Sequence, residues 1–136
     1  MKVAFQHEKT TRAIINAFYT VYNALGYGFA EKVYQNAMVL ELNRLGLTVV
    51  KEHPINVYYH NEIVGTFFAD LLVDNVVIVE LKAVKELAPE HTAQLLNYLK
   101  GSIFEVGLLL NFGPEAIFQR KIYTNAKKGK MSWMPN

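Results

Sequence analysis

Three charged residues stand in the most apolar part of this 136-residue chain. Asp70 lies in the run ADLLV, and Glu80 and Lys82 lie in VVIVELK. Charges set among Leu, Val and Ile are costly to bury unless they are paired or bound to a metal. Solubility gives no reason to place them there, so chemistry is the first reading. Side chains two apart on a strand point the same way, so Glu80 and Lys82 project together and Leu81 faces away. A carboxylate suits a hard divalent cation. A lysine ammonium beside it can steady a scissile phosphate or activate an attacking water. Together they suit phosphodiester hydrolysis. The competing readings are an ion pair for Glu80 and Lys82, and a turn or capping role for Asp70. A surface ion pair contributes only ~0–1 kcal/mol, a poor motive for placing it beside so apolar a run.

The acids can cooperate only if the hairpin between them has a particular register. A two-residue loop at Asp74-Asn75 would pair Val73 with Val76 and turn Glu80 away from Asp70. A three-residue loop, or a bulge, shifts the register by one and sets Asp70 across from Glu80. A shared metal site therefore requires the irregular turn.

Two helical stretches can add groups. Glu31 falls in the first turn of a helix just after a glycine stop, with Tyr34 three residues on. A helix-dipole role for Glu31 and a packing role for Tyr34 are the rival readings. On a later helix Gln94 and Tyr98 are four apart and share a face, with His91 one turn earlier. His91 also fits a plain helix-end residue.

The elements that must carry these groups follow from periodicity. Ile14, Phe18, Val21 and Leu25 mark a helix over about 8–25, with Thr10 or Thr11 as its cap and Gly26-Tyr27-Gly28 as its stop. Val33, Ala37, Leu40 and Leu45, widened by Tyr34, Met38 and Leu42, mark a second over about 30–45, closed by Gly46. The short link predicts a helical hairpin. Residues about 48–59 read as a strand that Pro54 confines to an edge or bends. A turn at Asn61-Glu62 leads to strands over 63–73 and 76–83, the latter apolar enough to be central. Pro89 opens a third helix, about 89–100, ended by Gly101. A strand over 105–112 follows, so the helix is a crossover that favours a parallel pair. A last strand, 117–124, precedes a polar tail, 125–136, whose lysines 127, 128 and 130 read as solvated.

Composition bounds the rest. The chain is 51% hydrophobic and 19% charged, with net charge +2, which suits a single folded domain, and the order of helices and strands makes it α/β. This charge neither demands nor excludes a nucleic-acid partner. There is no cysteine, which excludes disulfides, thiolate metal sites and cysteine nucleophiles. No apolar run is long enough to span a bilayer, and the first residues lack the apolar segment of a signal peptide. No membrane partner and a cytoplasmic location are the expectations.

Taken together these residues resemble the PD-(D/E)XK nuclease superfamily, and more narrowly the bacterial GxxExxY family. Gly28-Phe29-Ala30-Glu31-Lys32-Val33-Tyr34 matches the naming motif. Asp70 with Glu80-x-Lys82 matches the nuclease core, and Gln94-x-x-x-Tyr98 matches the helix motif of the exonuclease branch. The resemblance runs from about residue 8 to 124. It implies a restriction-endonuclease-like α/β fold: a mixed central sheet flanked by helices, with an N-terminal helical hairpin. By position it implies Glu31, Asp70 and Glu80 as metal ligands and Asp70, Glu80 and Lys82 as the catalytic set. Gln94, Tyr98, Tyr34 and His91 fall to substrate contact or site support. It further implies Mg²⁺ or Mn²⁺ as cofactor and a nucleic acid, DNA before RNA, as substrate. A nuclease-fold module that binds nucleic acid or a partner protein without cutting is the alternative. The small size suggests a homodimer or a subunit of a larger assembly.

Overall fold

The computed structural model describes residues 6–130. Two helices, α1 (Glu8–Leu25) and α2 (Glu31–Arg44), precede three strands, β1 (Val49–Tyr59), β2 (Glu62–Val73) and β3 (Val77–Lys82). Helix α3 (Pro89–Lys100) then crosses over to β4 (Val106–Phe112), and β5 (Ala116–Ile122) closes the sheet. The strands lie in chain order, and β3–β4 is the parallel pair among antiparallel neighbours. The crossover, the central β3 and the edge position of the Pro54 strand agree with the sequence expectations.

The two faces of the sheet bury different helices. Ile14, Phe18, Tyr34, Met38 and Leu42 of α1 and α2 pack with Leu71, Val79, Leu81, Leu108, Leu110 and Phe112. On the other face Leu95, Tyr98 and Leu99 of α3 pack with Leu72, Ile78 and Leu109. Alternation along β3 therefore assigns Leu81 to the α1–α2 side and Ile78, with Glu80 and Lys82 beyond it, to the α3 side. The core forms because apolar area leaves water at roughly 25 cal/mol per Å². No helix among the described residues is long and apolar enough to cross a membrane.

The β2–β3 turn has the irregular form that a shared site requires. Val73 pairs with Val77 rather than Val76, leaving a three-residue loop, Asp74-Asn75-Val76. Asp74 (φ 50°) and Asn75 (φ 56°) take left-handed conformations, which Asp and Asn tolerate better than most residues. Thr48 pins the turn: its N–H donates to Asp74 Oδ1 at 2.9 Å, and Asp74 N–H donates to Thr48 O at 2.9 Å. The ladder runs from Val73↔Val77 to Leu71↔Val79 and ends there, and Asp70 and Glu80 are the next residues along the two strands.

Several local expectations are corrected. Neither Thr10 nor Thr11 caps α1. The cap position is His7, without a side-chain bond, and the Thr11 hydroxyl donates to Glu8 O inside the first turn. The buried stripe of α2 is Tyr34, Met38 and Leu42, while Val33, Leu40 and Leu45 face outward. The β1–β2 turn is His60-Asn61 (φ 49° and 63°), because Tyr59 pairs with Glu62. The tail is not wholly solvated. Lys128 is buried, and its Nζ donates to Ser102 O at 2.8 Å and Phe104 O at 2.7 Å. The tail beyond residue 130 lies outside the described residues.

Candidate active site

The site begins where β2 and β3 stop pairing. Beyond Leu71↔Val79 no further pair forms between them. There the Asp70 carboxylate takes over from the ladder, its Oδ2 accepting the N–H of Leu81 at 2.8 Å. One side chain thus satisfies a backbone donor the sheet has released and holds an acid beside Glu80. Its other oxygen carries no such backbone duty.

Glu80 is buried, only 2% exposed, and its Oε1 has no hydrogen-bond partner. Burial pushes its carboxyl up to about 10, the hydrogen bond and charge of Asp70 push the same way, and the nearby Lys82 charge opposes them weakly. Lys82 ends β3, half-buried, opposite Asn111 of β4. Asn111 is itself buried and clamps the chain just beyond: Val84 N–H donates to its Oδ1 at 3.0 Å, and its Nδ2 donates to Val84 O at 2.9 Å. These bonds fix the exit of the strand that carries Glu80 and Lys82.

A cavity of about 260 Å³ opens beside Asp70, lined by Glu31, Lys32, Gln35, Glu52, Asp70 and Leu81. Helix α2 brings Glu31 to it from the first turn, and Glu31 is exposed there. Glu52 reaches it from β1 through a left-handed backbone (φ 52°) at the step between Lys51↔Leu71 and His53↔Ala69. The buried Gln35 holds both sides together. Its Nε2 donates to Glu52 Oε2 at 2.6 Å and to Asp70 O at 3.0 Å.

The α3 residues divide. Gln94 Nε2 donates to Tyr98 Oη at 3.0 Å. Burial raises the Tyr98 phenol, and the charges of Glu80, Asp70 and Glu52 add to the rise against the Gln94 bond. The hydroxyl therefore keeps its proton as a donor close to the acids. His91 instead caps the helix: its Nδ1 accepts the Ala88 N–H at 3.0 Å, and its own N–H donates to Ala88 O at 3.0 Å. Tyr34 is fully buried and stacked on Phe112 with ring centroids 4.2 Å apart. Its hydroxyl donates to Gly26 O at 2.6 Å and accepts from Phe29 N–H at 3.2 Å, tying down the glycine loop before Glu31.

The structure thus joins Asp70, Glu80 and Lys82 at the end of β3, sets Glu31 across the adjoining cavity, and brings Tyr98 and Gln94 from the opposite face. Tyr34 holds the glycine loop, and His91 caps α3 while also lining a cavity on that helix's face of the sheet. Gln35, Glu52 and Asn111 belong to the site but escaped the sequence reading. Gln35 is one helical turn past Glu31, a spacing that could have found it. Glu52 had no such signal, since an acid on an edge strand reads as solvated.

Among the described residues, no three carboxylate or imidazole side chains form a ready-made ion cluster. The donor chemistry nevertheless fits a hard divalent cation. Asp70 and Glu80 are adjacent oxygen donors, and the orphaned Glu80 Oε1 is a buried acceptor lacking a partner.

A family model described as the PD-(D/E)XK nuclease superfamily matches residues 8–123. No curated protein matches the sequence. Among solved structures, the fold is similar to the crystal structure of SSO0001, with a TM-score of 0.55 at 14% identity. That similarity covers 90% of this chain and 62% of the other, so the chain spans less than two thirds of its structural relative.

Proposed function

This chain belongs to the PD-(D/E)XK nuclease superfamily, and on that premise we propose that it is a divalent-metal-dependent nuclease of the GxxExxY type that hydrolyses phosphodiester bonds in DNA. The observation that carries the reading is the adjacency of Asp70 and the buried Glu80, whose Oε1 has no partner, on the strand that also presents Lys82. A buried carboxyl with one unpartnered oxygen is expensive unless that oxygen serves a ligand.

Asp70 and Glu80 would hold Mg²⁺ or Mn²⁺, with Glu31 contributing from across the cavity. When bound, the ion supplies Lewis-acid stabilisation of the charge that develops on the scissile phosphate. The chain's own residues do the remainder. Lys82, two residues from Glu80 and on the same face, balances phosphate charge and orders the attacking water. The Tyr98 hydroxyl, kept protonated by burial and then by the nearby acids, donates to a substrate oxygen, and Gln94 fixes its orientation. Gln35 and Asn111 hold the two strand ends in place.

The test is a cleavage assay on single- and double-stranded DNA and RNA with and without Mg²⁺ or Mn²⁺, with Asp70→Ala as control. Metal-dependent cleavage lost in that variant supports the reading. Absence of cleavage, together with calorimetry showing no Asp70-dependent metal binding, overturns it in favour of a non-cutting nucleic-acid or protein-binding module.

A further inference from the structure

A second cavity, about 440 Å³, lies on the α3 face of the sheet and includes Phe67, Glu90, His91, Gln94, Asn97 and Tyr98 in its wall. We propose that it receives one unpaired base of the substrate strand, which makes nucleic acid with a single-stranded segment at the cut the preferred substrate. The proposal deepens the nuclease reading and rests on it for the identity of the ligand as nucleic acid.

Four observations point to a base. Phe67 is 37% exposed, and its ring stands 5.4 Å from the Tyr98 ring at 35°. That geometry leaves an aromatic platform partly in solvent, and stacking on such platforms is how single strands are held irrespective of sequence. Gln94 and Asn97 bring side-chain amides to the same wall, groups whose paired donor and acceptor match the edge of a base. The wall contains no Lys or Arg; its titratable side chains are Tyr98, Glu90 and His91, and the His91 Nδ1 is occupied by the Ala88 N–H. A phosphate therefore meets no lysine or arginine there, whereas a neutral flat ring needs none. Finally, Tyr98 lines this cavity and is near enough to Glu80 and Asp70 to feel their charges, so the cavity lies beside the candidate active site. A base inside a duplex has both faces stacked and its edge paired. Only an unpaired or extruded base offers a free face to Phe67.

The test uses the intact chain in metal-chelating buffer with a short single-stranded oligonucleotide carrying 2-aminopurine, beside a blunt duplex of the same sequence. The single strand should bind with a change in 2-aminopurine emission. Phe67→Ala should weaken that binding about tenfold or more, by the typical strength of base–aromatic stacking. Phe67→Tyr should restore it, and duplex binding should not depend on Phe67. Circular dichroism of each variant checks that the fold is kept. Equal single-strand affinity in wild type and Phe67→Ala, or no emission change, overturns the pocket. Metal-dependent cleavage that persists unchanged in Phe67→Ala, on single strands as on duplexes, removes the pocket and leaves the nuclease reading standing. Phe67-dependent binding without any metal-dependent cleavage does the reverse.

Discussion

The side-chain amide of Gln35 reaches Glu52 Oε2 at 2.6 Å and, from the same nitrogen, the backbone carbonyl of Asp70 at 3.0 Å. One buried residue of α2 thereby fixes the relative position of β1 and β2 where Asp70 leaves the β2–β3 ladder. Replacing Gln35 by Leu keeps the packing volume but removes both bonds. Removing one partner of a buried hydrogen bond costs about 1–3 kcal/mol, so urea unfolding should show a loss of that size. The consequence for function is separate. Mg²⁺ affinity, read by calorimetry, should also fall, because the Asp70 backbone is no longer anchored. Unchanged affinity would mean that Asp70 is held by its Leu81 contact alone.

Glu80 contributes its own pH dependence to the stability of the metal-free protein, which comparison with a Glu80 variant isolates. Its ordinary value is 4.5 and its folded value about 10, so between these limits the folded chain keeps a proton that the unfolded chain releases. The associated stability is full below the unfolded value and is lost as pH rises through the folded value. Glu80→Gln keeps the shape and removes the titration. In chelating buffer the variant should melt above wild type at neutral pH, and the gap should widen as pH rises toward 10. Mg²⁺ binding to wild type must expel that proton, so its affinity should increase with pH and one proton should appear on binding. A variant that melts below wild type at neutral pH would mark Glu80 as a structural member of an ion pair with Lys82.

The elements of the fold were legible because their signals are local. The stripe Ile14, Phe18, Val21 set α1, and Pro89 with Gly101 bounded α3. The register of the β2–β3 turn was readable as a requirement, since parity alone decides whether Asp70 and Glu80 can meet. Features that depend on tertiary neighbours were not readable. Leu40 and Met38 both fit a helical stripe on α2, and only the position of the sheet buries Met38 and leaves Leu40 72% exposed. Lys128 looks like any tail lysine until two carbonyls, those of Ser102 and Phe104, close around it. Glu52 enters the site through a backbone conformation that no residue type announces.

Lys82 separates binding from chemistry. It lies outside the core clusters, so Lys82→Ala should fold normally. The variant also keeps Asp70 and Glu80, and loss of the ammonium should if anything leave Glu80 harder to ionise, since Lys82 is the charge that lowers it. Calorimetry should therefore still find Mg²⁺ binding, somewhat weakened at neutral pH and recovering as pH rises. Cleavage should fall by about a hundredfold or more, the usual contribution of a positioned proton-transfer or charge-balancing group. Cleavage at the wild-type rate would remove lysine from the mechanism while leaving the metal site intact.

The distance between α3 and the sheet is set at Gly107. A Cβ built there would lie 2.7 Å from Leu95 Cδ1 and 3.3 Å from Leu99 Cδ1, both on fully buried side chains of α3. These leucines have little room to rotate away, so Gly107→Ala should push the helix outward. Overpacking of this kind typically costs about 1–3 kcal/mol, measurable as a lower urea midpoint with an unchanged slope. The same helix carries Gln94 and Tyr98 toward Glu80, so the displacement should reach the site. Cleavage should fall through kcat, with Mg²⁺ affinity close to wild type because Asp70 and Glu80 sit on other elements. A stability loss with kcat unchanged would show that Tyr98 and Gln94 contribute packing to α3 and nothing to the reaction.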